Sequence, residues 1–233
     1  MGFWSTTGDI AVALGKGVYS VGEDIVYGAD RTFEGLGVSG SSRILQIGIE
    51  NEYLLEHVKN VAKFGLSETS PIYDMITTIL VEYFDRLPEE LVQKLASKAA
   101  VGGAYVGGRM VVGKWLAKKI AIRIATAVAS STLYKQFAKK IGVSAAAGST
   151  GIGIPITLLM LQGVGQRASY ASGRLRANHP ELWGKLRAKR GMDMLYFLVE
   201  GPMAKHLELI KAAKQNSLQW QLHVKNLKSE LER

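Results

Sequence analysis

Apolar positions recur along this chain at spacings of three and four, the period of helices that bury one face. In residues 1–38, Ile10, Leu14, Val18, Val21 and Ile25 share such a face, and Gly8, Gly15 and Gly22 would lie close together on the same helix. Ser41 or Ser42 can cap a second helix, with Ile44, Ile47, Leu54, Leu55, Val58 and Val61 as its apolar stripe and Glu50, Glu52 and Glu56 on or near the opposite face. Ser70-Pro71 opens a third, with Ile72, Met75, Ile76, Ile79, Leu80, Tyr83 and Phe84 facing inward, and Pro88-Glu89-Glu90 opens another in the same way. Residues 1–90 therefore read as an acidic helical bundle. Near the other end, residues 192–199 form a short apolar segment. Gly201-Pro202 begins a last amphipathic helix, residues 201–233, carrying Leu207, Ile210, Leu218, Leu222 and Leu227.

The middle differs. Residues 141–166 are 26 consecutive positions without an ionisable side chain, bracketed by Lys139 and Lys140 before and Arg167 after. As one straight helix they would run about 39 Å, enough to cross a hydrocarbon core of about 30 Å. Gly148, Ser149, Thr150, Gly151 and Gly153 form a turn-prone cluster, however, and Pro155 lacks the amide proton that a helix interior uses. The expected result is a break, leaving an apolar helix over residues 155–166. Residues 120–133, apolar except for Arg123, make a second leg, so that residues 120–166 form a Gly/Ala-rich helical hairpin with an uncharged tip. The plain alternative is a Gly-rich loop leading into a buried core helix. Under the hairpin reading, the positions that enter a bilayer are Ile120, Ile122, Ile124, Val128, Gly148, Gly151, Gly153, Pro155, Ile156, Leu158, Leu159 and Leu161. Gly102, Gly103, Gly107 and Gly108 belong with them. The four-residue spacing of Gly103 and Gly107, continued by Ala121, Ala125 and Ala129, puts flat ridges on helices and lets backbones approach closely.

Charge sharpens this picture. The net charge of +9 divides into 14 acids against 6 bases in residues 1–90, 13 bases and no acid in residues 91–180, and 10 bases against 6 acids in residues 181–233. An ordinary water-exposed surface mixes signs. A ninety-residue block that is acid-free, apolar and Gly-rich reads instead as a segment that meets anionic lipid or an acidic partner. Lys118, Lys119, Lys139 and Lys140 flank the apolar runs and can lift their ammonium groups to a headgroup layer. Arg174, Arg176, Lys185, Arg187, Lys189 and Arg190 cluster around Trp183 with only Glu181 for balance, which fits anionic headgroups. The same cluster would fit a phosphate backbone, although no nucleic-acid recognition motif accompanies it.

Motifs for chemistry are weak. There is no cysteine, which excludes disulfides, thiolate metal sites and cysteine nucleophiles. His57, His179, His206 and His223 show no paired spacing for a metal, and each is expected at the surface or at a helix cap. The segment at Gly35 to Gly40 has dinucleotide-fingerprint spacing without a preceding strand and reads as a loop. Gly108 to Trp115 imitates a phosphate-binding loop, but Trp115 stands where a hydroxyl would hold magnesium. Ala147 to Gly151 imitates a serine-hydrolase elbow in a helix-prone context. Neither an enzyme nor a cofactor, metal or small-molecule substrate is implied.

An acidic helical front, an acid-free Gly-rich centre over residues 91–200 and a basic tail, with no cleavable signal peptide, together resemble the small membrane-depolarising antibacterial effectors of type VI secretion. More loosely, they resemble the helical-hairpin domains of pore-forming colicins. The resemblance lies in character and involves no shared motif. It implies an all-α protein made in the cytoplasm, carried by a secretion tube, spike or adaptor component, held in check by a cognate immunity protein, and inserted into the inner membrane of a rival cell, where several copies assemble a pore. A pore lined by Arg109, Lys114 and Arg123 should prefer anions. Two other readings are a permanently membrane-associated structural or adaptor protein and a water-soluble nucleic-acid-binding helical module.

Overall fold

The computed structural model describes residues 31, 44–64, 67–99, 108–131, 134, 135, 139 and 154–232; for residues 58, 59, 61–64 and 154–161 the description extends to the helical backbone. Every regular element among the described residues is helical: α1 (Ile44–Phe64), α2 (Pro71–Phe84), α3 (Glu89–Ala99), α4 (Arg109–Ser130), α5 (Ile154–Asn178), α6 (Pro180–Ala188), a 3-10 helix (Met192–Leu198), α7 (Glu200–Lys214) and α8 (Leu218–Leu231). The expected α1 stripe is only partly inward. Ile47 and Leu54 are buried, whereas Ile44 and Leu55 are exposed.

The central element is α2. Its start follows the local chemistry read from Ser70-Pro71: Ser70 is the N-cap, its Oγ accepting from the Tyr73 amide at 3.2 Å, and Pro71 fills a first-turn position that needs no amide donor. All seven apolar residues expected to face inward are buried, and so are Thr77 and Glu82. A helix apolar nearly all round belongs in the middle of a bundle. Accordingly α1, α4, α6, α7 and the 3-10 helix all pack against α2, the most extensive pairing being with α4. The hydrophobic core runs without interruption from Leu54 through α2 to α8, drawing on the acidic front, the acid-free centre and the basic tail alike.

α4 makes its approach to α2 through small residues. Gly113, Ala117, Ala121 and Ala125 recur every four positions and all are buried. A Cβ added to Gly113 would stand 3.2 Å from Phe84 Cβ, tighter than ordinary packing.

Two expected boundaries are corrected. The helix expected to end at Gln166 continues to Asn178. Its extension holds three Ala and three Arg, good helix formers that outweigh Gly173, and meets no proline before Pro180. Pro180 then disfavours helical geometry at His179, which adopts φ −140° and ψ 62°. The last helix, expected as one piece, is two. Asn216 takes a left-handed φ of 46°, its amide bonds Ala213 O at 3.1 Å, and the Ser217 amide bonds Ala212 O at 3.0 Å. That is a Schellman stop, with Ser217 then capping α8. The break turns Leu218 and Leu222 outward, 70% and 48% exposed, although the single-helix reading put them on the buried stripe.

Candidate functional site

Two surfaces carry the cations, and the structure treats them differently. The first is the cluster around Trp183. Asp193, wholly buried on the 3-10 helix, accepts from Ser172 Oγ at 2.5 Å and from Arg187 Nη1 at 3.0 Å, both through Oδ2. Ser172 Oγ also accepts from Trp183 Nε1 at 3.0 Å. Arg187 lies 5.2 Å over the Tyr53 ring and 5.8 Å over Trp183, and Arg176 lies 4.9 Å over Trp183. The turn that delivers Asp193 uses Arg190 at φ 55° and Gly191 at φ 68°. It is held by His57, whose Nε2 donates to the Arg190 carbonyl at 2.9 Å.

Around this centre the bases meet carboxylates from other helices. Lys189 bonds both oxygens of Asp74 at 2.9 and 3.0 Å and Thr78 Oγ1 at 2.9 Å. Lys185 reaches Glu82, which is buried and also holds Arg86 at 2.6 Å. Arg190 pairs with Glu56 at 2.7 Å, and Arg174 grips Glu200 through two bonds of 2.7 and 2.6 Å. Five of the six bases expected to contact lipid here thus have acidic partners, and three of those acids come from α1 and α2. The sixth, Arg176, has an aromatic face.

The second surface is α4. It contains no acid, and among the described residues no carboxylate lies within ion-pair distance of Arg109, Lys114, Lys118 or Lys119. Lys119 Nζ sits 5.8 Å above the half-buried Trp115 ring. Of the residues expected to insert, Ile124 and Val128 are in the core, Ile120 is partly buried against it and Ile122 is exposed. Gly108 is the exposed N-cap of α4, so the imitation phosphate loop from Gly108 to Trp115 is in fact a helix start. Pro155, Ile156, Leu158, Leu159 and Leu161 lie on α5, and Lys139 is helical and exposed. Gly102, Gly103, Gly107, Lys140, Gly148, Gly151 and Gly153 lie outside the described residues, as do the expected first helix, the loop at Gly35 to Gly40 and the segment from Ala147 to Gly151.

Sequence reasoning missed the interior polar groups. His57, His179 and His206 are buried, where surface positions or caps were expected; His179 does stand at the N-cap of α6. Tyr83, buried on α2, has its hydroxyl 2.7 Å from His223 Nε2, its ring edge-on to His206 at 5.6 Å and to Trp220 at 6.3 Å. Burial lowers the pKa of His206 to about 4 and lowers those of His57, His179 and His223 as well. Glu50, expected outside, is buried because Arg31 Nη2 reaches it at 3.0 Å while Arg31 also bonds Asn51 and Gln166. For Glu50 alone the signal was available in principle, since an acid on a helix beside Ile47 and Leu54, three before and four after it, is a candidate buried pair. The distant partner could not be named.

Among the described residues no group of three His, Asp or Glu side chains could hold a metal ion, and no helix is long and apolar enough to cross a membrane. The arrangement offers exposed cations on α4 and buried, hydrogen-bonded polar groups around Asp193 and Tyr83. Comparison of the chain with known protein families, with curated proteins and with solved structures gives no match.

Proposed function

We propose that this protein is a membrane-inserting antibacterial toxin that forms ion-conducting pores and depolarises the inner membrane of a target cell. In its stored form acids of α1 and α2 neutralise half of the basic cluster around Trp183. The observation that carries this reading is the set of pairs from Lys185, Lys189 and Arg190 to Glu82, Asp74 and Glu56, which ties the basic tail to α1 and α2. In the Lys189–Asp74 and Arg190–Glu56 pairs both partners are substantially exposed, so each of these two stabilises the fold by about 1 kcal/mol or less. Lipid phosphates can replace such carboxylates at little cost. The apolar hairpin over residues 120–166 is the part that then enters the bilayer, with α4 leaving α2 and the small-residue ridge of α4 exchanging one helix partner for another. Burial of its apolar area, at about 25 cal/mol per Å², drives the step. Copies of the chain would assemble the pore, and a cognate immunity protein and a secretion tube, spike or adaptor component are the expected partners.

The nucleic-acid reading is weaker, because the cluster it relied on is already occupied by carboxylates. Release of dye and ions from anionic liposomes by the purified protein tests the proposal. Intact vesicles at high protein ratio, together with an undisturbed membrane potential in cells expressing the chain, would sink it.

A further inference from the structure

The stripe Val111, Trp115, Lys118 and Ile122 recurs at intervals of four, three and four and points away from α2. Val111 is 55% and Ile122 42% exposed, and Met110, one residue before Val111, is 73% exposed. Lys114, Lys118 and Lys119 rise beside these apolar side chains without an acidic partner among the described residues. Apolar and cationic positions interleaved on an outward face, with a tryptophan half sunk among them, are what a helix needs to lie in the plane of a headgroup layer. The opposite, small-residue face is buried in the bundle, so this docking needs no unfolding.

We infer that this outer face of α4 is where the folded protein first seats on an anionic phospholipid bilayer, its axis along the surface, before any insertion. The inference rests on the proposed function only in taking a bilayer as the target. It assigns first contact to α4 and withdraws it from the Trp183 cluster, whose charges are satisfied internally. The bare ammonium groups select an anionic surface, and the apolar stripe between them selects lipid over a polar phosphate backbone.

Full-length protein sedimented with vesicles of phosphatidylglycerol and phosphatidylcholine should bind at low salt, and should not bind vesicles of phosphatidylcholine alone. Lys114→Glu with Lys118→Glu should weaken binding by about tenfold or more. Lys211→Glu with Lys225→Glu, an equal change of net charge elsewhere on the exposed surface, should have a much smaller effect. Since the chain has no cysteine, Ile122→Cys carries a single environment-sensitive dye, whose emission should shift to the blue on the anionic vesicles. Equal loss in both double variants, an unshifted dye, absence of wild-type binding, or tighter binding of duplex DNA than of vesicles at matched salt would each overturn the assignment. Binding through α4 without leakage would defeat the pore and leave the docking face standing. Leakage that survives the α4 double variant unchanged would do the reverse.

Discussion

The hydroxyl of Tyr83 and Nε2 of His223 lie 2.7 Å apart, which fastens α8 to the C-terminal end of α2 across 140 residues of chain. Beside this pair His206 is buried with its Nδ1 unpartnered, so the neutral imidazole is the form that the interior tolerates. Lys205 and His223, both near it, add to the effect of burial. Tyr83→Phe removes the hydroxyl and leaves the imidazole without its partner; the urea unfolding midpoint should fall by the equivalent of about 1–2 kcal/mol.

Acid should loosen the fold through the same residues. His206 has a folded pKa of about 4 against an ordinary 6.5, so between those values the unfolded chain binds a proton that the folded chain refuses. Stability is therefore full above about pH 6.5 and declines as pH drops, by up to about 1.4 kcal/mol per pH unit for this one group. His57, His179 and His223 act in the same direction. Urea midpoints measured between pH 7.5 and 4.5 should fall, and the fall should be shallower in His206→Leu. Equal slopes in the two proteins would show that His206 does not report on folding.

Gly191→Ala should destabilise strongly. The residue holds φ 68°, and an added Cβ would sit 2.1 Å from Tyr53 Cδ2, inside any permissible contact. Backbone strain of about 1 kcal/mol adds to the cost of displacing the ring. A loss above about 2 kcal/mol is expected, partly recovered when Tyr53→Ala is combined with it, as thermal melts of both proteins would show.

Asp193→Ala should cost about 3–5 kcal/mol, because it strands the Arg187 guanidinium and leaves the Ser172 hydroxyl without an acceptor. Ser172→Ala keeps the ion pair and should cost only about 1–2 kcal/mol. Comparable losses from the two would mean that the ion pair adds nothing of its own.

Amide substitution of the covering acids, Asp74→Asn with Glu56→Gln, should change stability by about 1 kcal/mol or less, since both pairs are exposed. Under the proposed function it should also raise dye release from anionic vesicles several-fold, because Lys189 and Arg190 no longer have carboxylates to leave. Unchanged release would argue against carboxylates competing with lipid.

Much of the helical framework was legible in the chain itself. Ser70-Pro71 and Pro88-Glu89-Glu90 marked helix starts through capping and proline chemistry, and the seven inward positions of α2 followed from a period of three and four. Other features were hidden for definable reasons. The stop at Asn216 depends on one residue adopting a left-handed backbone inside an otherwise helical pattern. The partners of Lys185, Lys189 and Arg190 lie more than 100 positions away, so a local count of charge overstated how bare that cluster would be. The same count was a better guide for Arg109, Lys114, Lys118 and Lys119 of α4, which no carboxylate among the described residues approaches. The histidines gave no local sign of burial, since a lone His is equally at home in water.

The two sides of α4 answer to different constraints. Gly113, Ala117, Ala121 and Ala125 are buried, while Met110, Val111 and Ile122 on the outward side are exposed. If α4 docks as inferred, substitutions on the outer side would retune what the molecule adheres to while its folding is left alone. A homologue could diverge in target choice along this single strip and keep the interior unaltered.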